Sequence, residues 1–183
     1  MKTHSSAAAK LIVILFLSAF LICPPCYCFQ NEPDGFGGIK WGQDFKSIKE
    51  CFIQKEAQDG FFAGEKDIRA YVKSNDKKML GAAHLQDSYY YFWKDKFICV
   101  EIITNGLSNF ASLKKLCFER YGKNIEGHEQ ANKNFNTYTW KGNLAGISLF
   151  HYKDDSGFDQ GILRIYSQKM MKQITGNTVQ DMR

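Results

Sequence analysis

The stretch from Tyr89 to Thr104 restricts the fold of this chain more than any other. It reads Tyr89-Tyr90-Tyr91-Phe92-Trp93, then a charged break Lys94-Asp95-Lys96, then Phe97-Ile98-Cys99-Val100-Glu101-Ile102-Ile103-Thr104. Aromatic and β-branched residues suit a pleated, half-buried surface, so two such runs around a short polar break predict an antiparallel hairpin. In strand geometry Tyr89, Tyr91 and Trp93 share one face, and Tyr90 and Phe92 the other. The pattern returns later. Tyr91-x-Trp93-Lys94-x-x-Phe97-x-x-Val100-x-Ile102 is echoed by Tyr138-x-Trp140-Lys141-x-x-Leu144-x-x-Ile147-x-Leu149, at a constant offset of 138 − 91 = 47.

The rest of the chain is read around that hairpin. Asp44 stands where an N-cap carboxylate would accept a free backbone N–H. Phe45, Ile48 and Phe52 then fall at i, i+3 and i+7, which predicts a first helix over roughly 45–55. Residues 57–65 read as a loop, with Phe61-Phe62 tucked back onto the core. Ile68, Ala70 and Val72 alternate with polar residues as in a half-buried strand, 74–78 is a turn, and 79–85 reads as a further strand. Asn105-Gly106 leads into a second helix from Phe110 to Tyr121, capped by Ser108 or Asn109 and closed by Gly122. Residues 123–136 form a polar loop. A second hairpin, 137–140 with 144–152, and a last strand, 161–167, follow. Residues 169–183 read as a short helix that frays.

The expected fold class is α+β, with two helices on one face of an antiparallel sheet. The echo admits a duplicated helix-plus-strands unit. The helices repeat at 110 − 45 = 65 rather than 47, so the halves would differ by an insertion. The competing reading is that any two amphipathic α/β units share such patterns.

The N-terminus reads as a targeting segment. Lys2 and Lys10 precede an apolar run from Leu11 to Cys23, interrupted only by Ser18. Thirteen residues are short for a membrane span, which needs about 20, but suit a secretory leader. Pro24-Pro25 ends any helix, and Cys26-Tyr27-Cys28 suits cleavage before Phe29. A lipoprotein acylated on Cys23 or a neighbouring cysteine and an uncleaved anchor are the alternatives. Cleavage leaves 183 − 28 = 155 residues, one domain over 29–168 with a tail at 169–183. Removing Lys2 and Lys10 leaves 22 basic against 19 acidic residues, or +3, with no long block of like charge. Nucleic acid is therefore not an expected partner. The expected location is the periplasm or beyond.

Gly38-Ile39-Lys40-Trp41-Gly42, followed by a capped amphipathic helix, resembles the opening of many short exported bacterial proteins of uncharacterised role. Phe118-Glu119-Arg120-Tyr121-Gly122 is similar to that group as well. In outline, helix-then-sheet repeats resemble outer-membrane-assembly lipoproteins and the β-lactamase-inhibitor-protein fold. That likeness implies a fold and no catalytic residues.

Candidate chemistry is sparse. His84, His128 and His151 are far apart and lack metal-ligand spacing, so no metal or cofactor is expected. Asp154-Asp155-Ser156-Gly157-Phe158-Asp159 lacks the length and terminal carboxylate of a calcium loop and reads as a turn. Three cysteines follow the leader. Cys51 and Cys117 sit late in the two expected helices, where the dipole opposes thiolate formation, and Cys99 lies in a strand. All three read as core residues, with Cys99–Cys117 the favoured pair if a disulfide forms. No nucleophile elbow, metalloprotease motif or phosphate loop is present.

The distinctive candidates are rings. Tyr89, Tyr91 and Trp93, extended by Tyr138 and Trp140, would form an aromatic binding face if the helices cover only the other side. The structural alternative is that these rings complete the core. The expected activity is a non-enzymatic binding or envelope-assembly module that holds an envelope protein or polymer by a sheet face or edge. The alternative is a small periplasmic hydrolase with a dispersed site, which a pocket gathering His84, His151 and a carboxylate would favour.

Overall fold

The computed structural model describes residues 29–55, 62, 65, 67–123, 135–153, 155 and 157–181. The expected leader, the cleavage and acylation positions, His128, Phe61, Asp154 and Ser156 lie outside them. In chain order, β1 (Gly35–Phe36) and β2 (Ile39–Lys40) form a small hairpin, and a single 3-10 turn spans Phe45–Ser47. Then come β3 (Phe52–Lys55) and β4 (Ile68–Lys73). A second small hairpin, β5 (Met79–Leu80) and β6 (Ala83–His84), leads into β7 (Asp87–Trp93) and β8 (Lys96–Asn105). Helix α1 (Leu107–Tyr121), β9 (Phe135–Lys141), β10 (Ala145–Lys153), β11 (Asp159–Ser167) and helix α2 (Gln168–Asp181) complete the chain.

Seven of these strands form one antiparallel sheet in the order β3-β4-β7-β8-β11-β10-β9. The α+β class read from the sequence is the observed one. The front face carries Tyr71, Tyr90, Phe92, Val100, Ile102, Tyr138, Trp140, Ile147, Leu149, Leu163 and Ile165. Helix α1 seals it with Phe110, Leu113, Cys117 and Tyr121, at the 3–4-residue spacing of one helical stripe. The back face carries Ala70, Tyr91 and Cys99, covered at one end by Phe62 and by Met170, Met171 and Ile174 of α2. The two helices thus lie on opposite faces.

The expected helix over 45–55 forms only its first turn. Asp44 does cap it, accepting from the Lys46 N–H at 3.0 Å, but Ile48 is already extended at φ −89°, ψ 125°. The residues that follow include Cys51, Phe52 and Ile53, which are weak helix formers, and β4 offers them an unpaired edge. Phe45 stacks on Tyr71 at 4.5 Å, and Phe52 reaches Tyr90 at 5.3 Å. The apolar spacing is thus used, but by an extended chain. The expected strand over 79–85 is likewise two short strands around Gly81, whose φ of +61° favours glycine. This hairpin docks on α1, where the His84 N–H donates to Asn109 Oδ1 at 3.0 Å.

The N-terminal segment acts as a clamp. Gln30 and Asn31 side chains donate to the carbonyls of Glu119 and Arg120, satisfying acceptors that the end of α1 leaves open. Gly122 closes the same helix at φ +85°. Glu32 accepts the N–H groups of Leu144 and Ala145 at 2.6 and 2.7 Å. Trp41 stacks on Phe97 and donates to the Pro33 carbonyl at 2.9 Å.

Candidate functional site

The hairpin from Asp87 to Asn105 sets where every ring points. Lys94 and Asp95 both have positive φ, the backbone of a two-residue I′ turn. Three residues after Asp95, Ile98 is an extra residue: Phe92 pairs with Phe97, but Tyr91 pairs with Cys99. Such a bulge changes the relation between faces along a strand. Tyr91 and Trp93 are therefore on the back, while Val100 and Ile102 are on the front. In the echo, Tyr138, Trp140, Ile147 and Leu149 all share the front. The 47-residue echo does not superpose as a structural repeat.

The five aromatic positions consequently divide. Tyr138 and Trp140 are buried under α1, where Tyr138 takes a hydrogen bond from Lys114 Nζ at 2.6 Å and Trp140 Nε1 donates to the Gly122 carbonyl at 3.0 Å. Tyr91 is buried on the back against Phe62 and donates to Glu101. Only Tyr89 and Trp93 remain half-exposed. A single five-ring patch is not formed.

What the hairpin does create is a fork. β7 and β4 pair from Tyr71↔Tyr90 to Ile68↔Trp93 and then part. β4 continues through Val72 and Lys73, held by β3, while the Asp87–Tyr89 end of β7 stays with β8. Two cavities open where they separate. The front one, about 550 Å³, lies between the β1–β2 hairpin, the 74–78 turn, the β5–β6 hairpin and the end of α1. The back one, about 370 Å³, is lined by Ile53, Val72 and Tyr89 among others. Lys73, Asp76, Lys77, Leu85 and Ser88 line both.

Several polar groups line this cleft. Tyr90 donates to Asp76 Oδ2 at 3.0 Å. Burial, then the Asp76 charge, holds the Tyr90 phenol protonated far above its ordinary range. Lys73 is paired with Glu50 at 3.0 Å. Among the described residues, Lys77, Lys78 and Arg120 have no carboxylate within ion-pair distance. Sequence reading singled out Tyr89 but passed over Asp76, Lys77, Leu85, Ser88, Tyr90 and Arg120. The available signal was the polar 74–78 turn beside an aromatic strand. The fork stayed hidden because it depends on β3, which lies in the segment read as helix.

The remaining candidates are inert or structural. Cys51, Cys99 and Cys117 are free thiols. The expected Cys99–Cys117 pair is corrected by topology: Cys99 lies on the back face and Cys117 on α1, with the sheet between them. Burial drives both thiols up, Cys117 to about 12 with Arg120 opposing, and neither is a nucleophile at neutral pH. His151 meets Asp159 at 2.9 Å and stacks on Phe110 at 4.5 Å, while His84 sits exposed in the β5–β6 hairpin. No group of three metal-ligating side chains converges among the described residues. No described helix is long and apolar enough to cross a membrane. Comparison with protein-family models, with curated proteins and with solved structures finds no match to this chain.

Proposed function

We propose that this chain is an exported, non-enzymatic binding module and that the fork between β4 and β7 is the surface it binds with. The observation that carries the reading is the pair of cavities, one towards each face, at the gap where β4 and β7 stop pairing. Sites for small ligands are typically concave, about 300–1,000 Å³, mostly apolar, with a few placed polar groups. The front cavity fits that description in volume, and its lining mixes Phe36, Leu80, Leu85 and Tyr121 with Lys73, Asp76, Lys77 and Arg120. The leader expected from the sequence would deliver the module to the cell envelope, so its partner is an envelope component.

The test is binding of a neutral apolar dye, N-phenyl-1-naphthylamine, followed by fluorescence. One saturable site is expected. Ser88→Trp, which fills the fork from the strand side, should abolish it, and Tyr152→Ser, an exposed change at the far end of β10, should not. A wild-type protein that leaves the dye dark, or equal binding by both variants, would overturn the reading.

A second reading, a small periplasmic hydrolase, draws on one observation, the buried His151–Asp159 pair. It requires that His151→Ala abolish turnover of a general ester substrate by the purified protein. Absence of turnover in the wild type, or its survival in the variant, removes that reading.

A further inference from the structure

We infer that the front cavity takes a single-chain amphiphile with an anionic head, such as a medium-chain carboxylate or alkyl phosphate. The inference rests on the binding reading above and names the ligand class. The cavity lining is of two kinds. Phe36, Leu80, Leu85 and Tyr121 supply apolar surface, and Lys73 and Lys77 at the 74–78 turn and Arg120 at the end of α1 supply positive charge. Apolar surface removed from water is worth about 25 cal/mol per Å², so an acyl chain gains by lying against those apolar groups. The charges then decide the head group.

The contacts around the cavity argue for an anion rather than a cation. Asp76 is the carboxylate of the front lining, and it is already engaged by the Tyr90 phenol and by the Lys77 N–H at 2.9 Å. A cationic head would have to compete for it and would meet Lys77 on the way. Lys73 is neutralised by Glu50, which leaves Lys77 and Arg120 as the uncompensated charges facing the opening. The open carbonyls at the C-terminal end of α1 would repel an anion. Gln30 and Asn31 cover those of Glu119 and Arg120 with amide donors, and Arg120 in the last turn offsets the dipole. Charge-assisted hydrogen bonds from an ammonium and a guanidinium to one carboxylate or phosphate are the strong, short class of such bonds.

The experiment measures displacement of N-phenyl-1-naphthylamine by dodecanoate, dodecyl phosphate and dodecanol at matched chain length, with acetate as the head group alone. Dodecanoate and dodecyl phosphate are expected to displace the dye at roughly tenfold lower concentration than dodecanol, which corresponds to about 1.4 kcal/mol. Acetate should not displace it. In Lys77→Ala/Arg120→Ala, both at exposed positions, the advantage of the acid over the alcohol should fall to within about twofold, and raising salt should erode it in the wild type. Equal displacement by acid and alcohol in the wild type overturns the inference, as does a preference that survives the double substitution. Failure of the dye itself to bind condemns the binding reading instead, so the two outcomes are separable.

Discussion

The two faces of the central sheet are made by the same strands and held by different physics. In β8, Val100 and Ile102 point to the front and Cys99 and Glu101 to the back. The front is a continuous apolar layer sealed by α1. The back is interrupted at its centre by Glu101, nearly buried, which meets Arg164 across the β8–β11 register and also accepts from Tyr91. Arg164 in turn lies over the Phe150 ring at 5.0 Å. An apolar layer spreads its stability over many contacts. A buried ion pair concentrates it, since losing one partner strands the charge of the other. Period-two alternation lets one set of strands do both.

The largest expected effect tests that contrast directly. Arg164→Ala should lower unfolding stability by about 3–5 kcal/mol, because Glu101 is left charged and buried. Leu149→Ala on the front should cost about 2–5 kcal/mol through transfer and cavity terms. The magnitudes overlap, so the second change matters. Glu101→Leu/Arg164→Leu, read by urea unfolding, should recover to near wild type or above, since replacing a buried pair by apolar residues is often neutral or stabilising. Adding a second alanine beside Leu149, at Ile147, should only deepen the loss. A Leu/Leu variant as unstable as Arg164→Ala would break the comparison.

The thiols sharpen it at intermediate size. Cys117 on the inner side of α1 and Cys99 on the back are both buried and both shifted upward by that burial. In such a pair of states the folded chain holds the proton where the unfolded chain releases it. Stability is therefore complete below the unfolded thiol range, about pH 8.5, and falls as pH rises through it, by at most about 1.4 kcal/mol per unit for each thiol. Urea midpoints from pH 7 upward should fall more steeply in the wild type than in Cys99→Ala or Cys117→Ala, each of which keeps one of the two shifted thiols. Under native conditions a thiol reagent should label Cys51, which is exposed, and leave the other two. Three labelled thiols in the folded state, or a parallel pH slope in all three proteins, would count against sealed faces.

Much of this was legible in the sequence, for reasons visible in particular residues. The β7–β8 hairpin, β9–β10 and β11 announce themselves because aromatic and β-branched runs have few alternatives to strand. The end of α1 at Gly122 follows from the need for a left-handed backbone there. What escaped depends on information that no local window holds. Phe45, Ile48 and Phe52 satisfy a helix by spacing, yet their side chains reach the same front core from a short turn and an edge strand. The bulge at Ile98 is a single extra residue with no compositional mark, and it moved Tyr91 and Trp93 away from Val100 and Ile102. The fork was invisible for both reasons, because it needs β3 paired to β4 and the register of β7 against β8.

The smallest effect belongs to the turn that closes β7 and β8, two strands that both faces share. Lys94 and Asp95 occupy left-handed backbone at φ 48° and 60°, positions an Asn-Gly pair accepts more readily. Lys94→Asn gives up an exposed ion pair with Asp67 at 3.6 Å and a contact over the Trp93 ring at 4.9 Å, which are worth a few tenths of a kcal/mol at such a surface. Asp95→Gly gives up its exposed contact with Arg69 but keeps the backbone bond from the Phe45 N–H to its carbonyl. Relief of the two left-handed positions should outweigh these losses, leaving a net gain of about 0.5 kcal/mol. Because the turn closes β7 and β8 together, hydrogen exchange should slow to the same degree at Tyr90 and Val100, whose side chains face front, and at Tyr91 and Cys99, whose side chains face back. A gain confined to one set would mean that the two layers open separately, and the ionic and apolar faces would then be independent units rather than two sides of one.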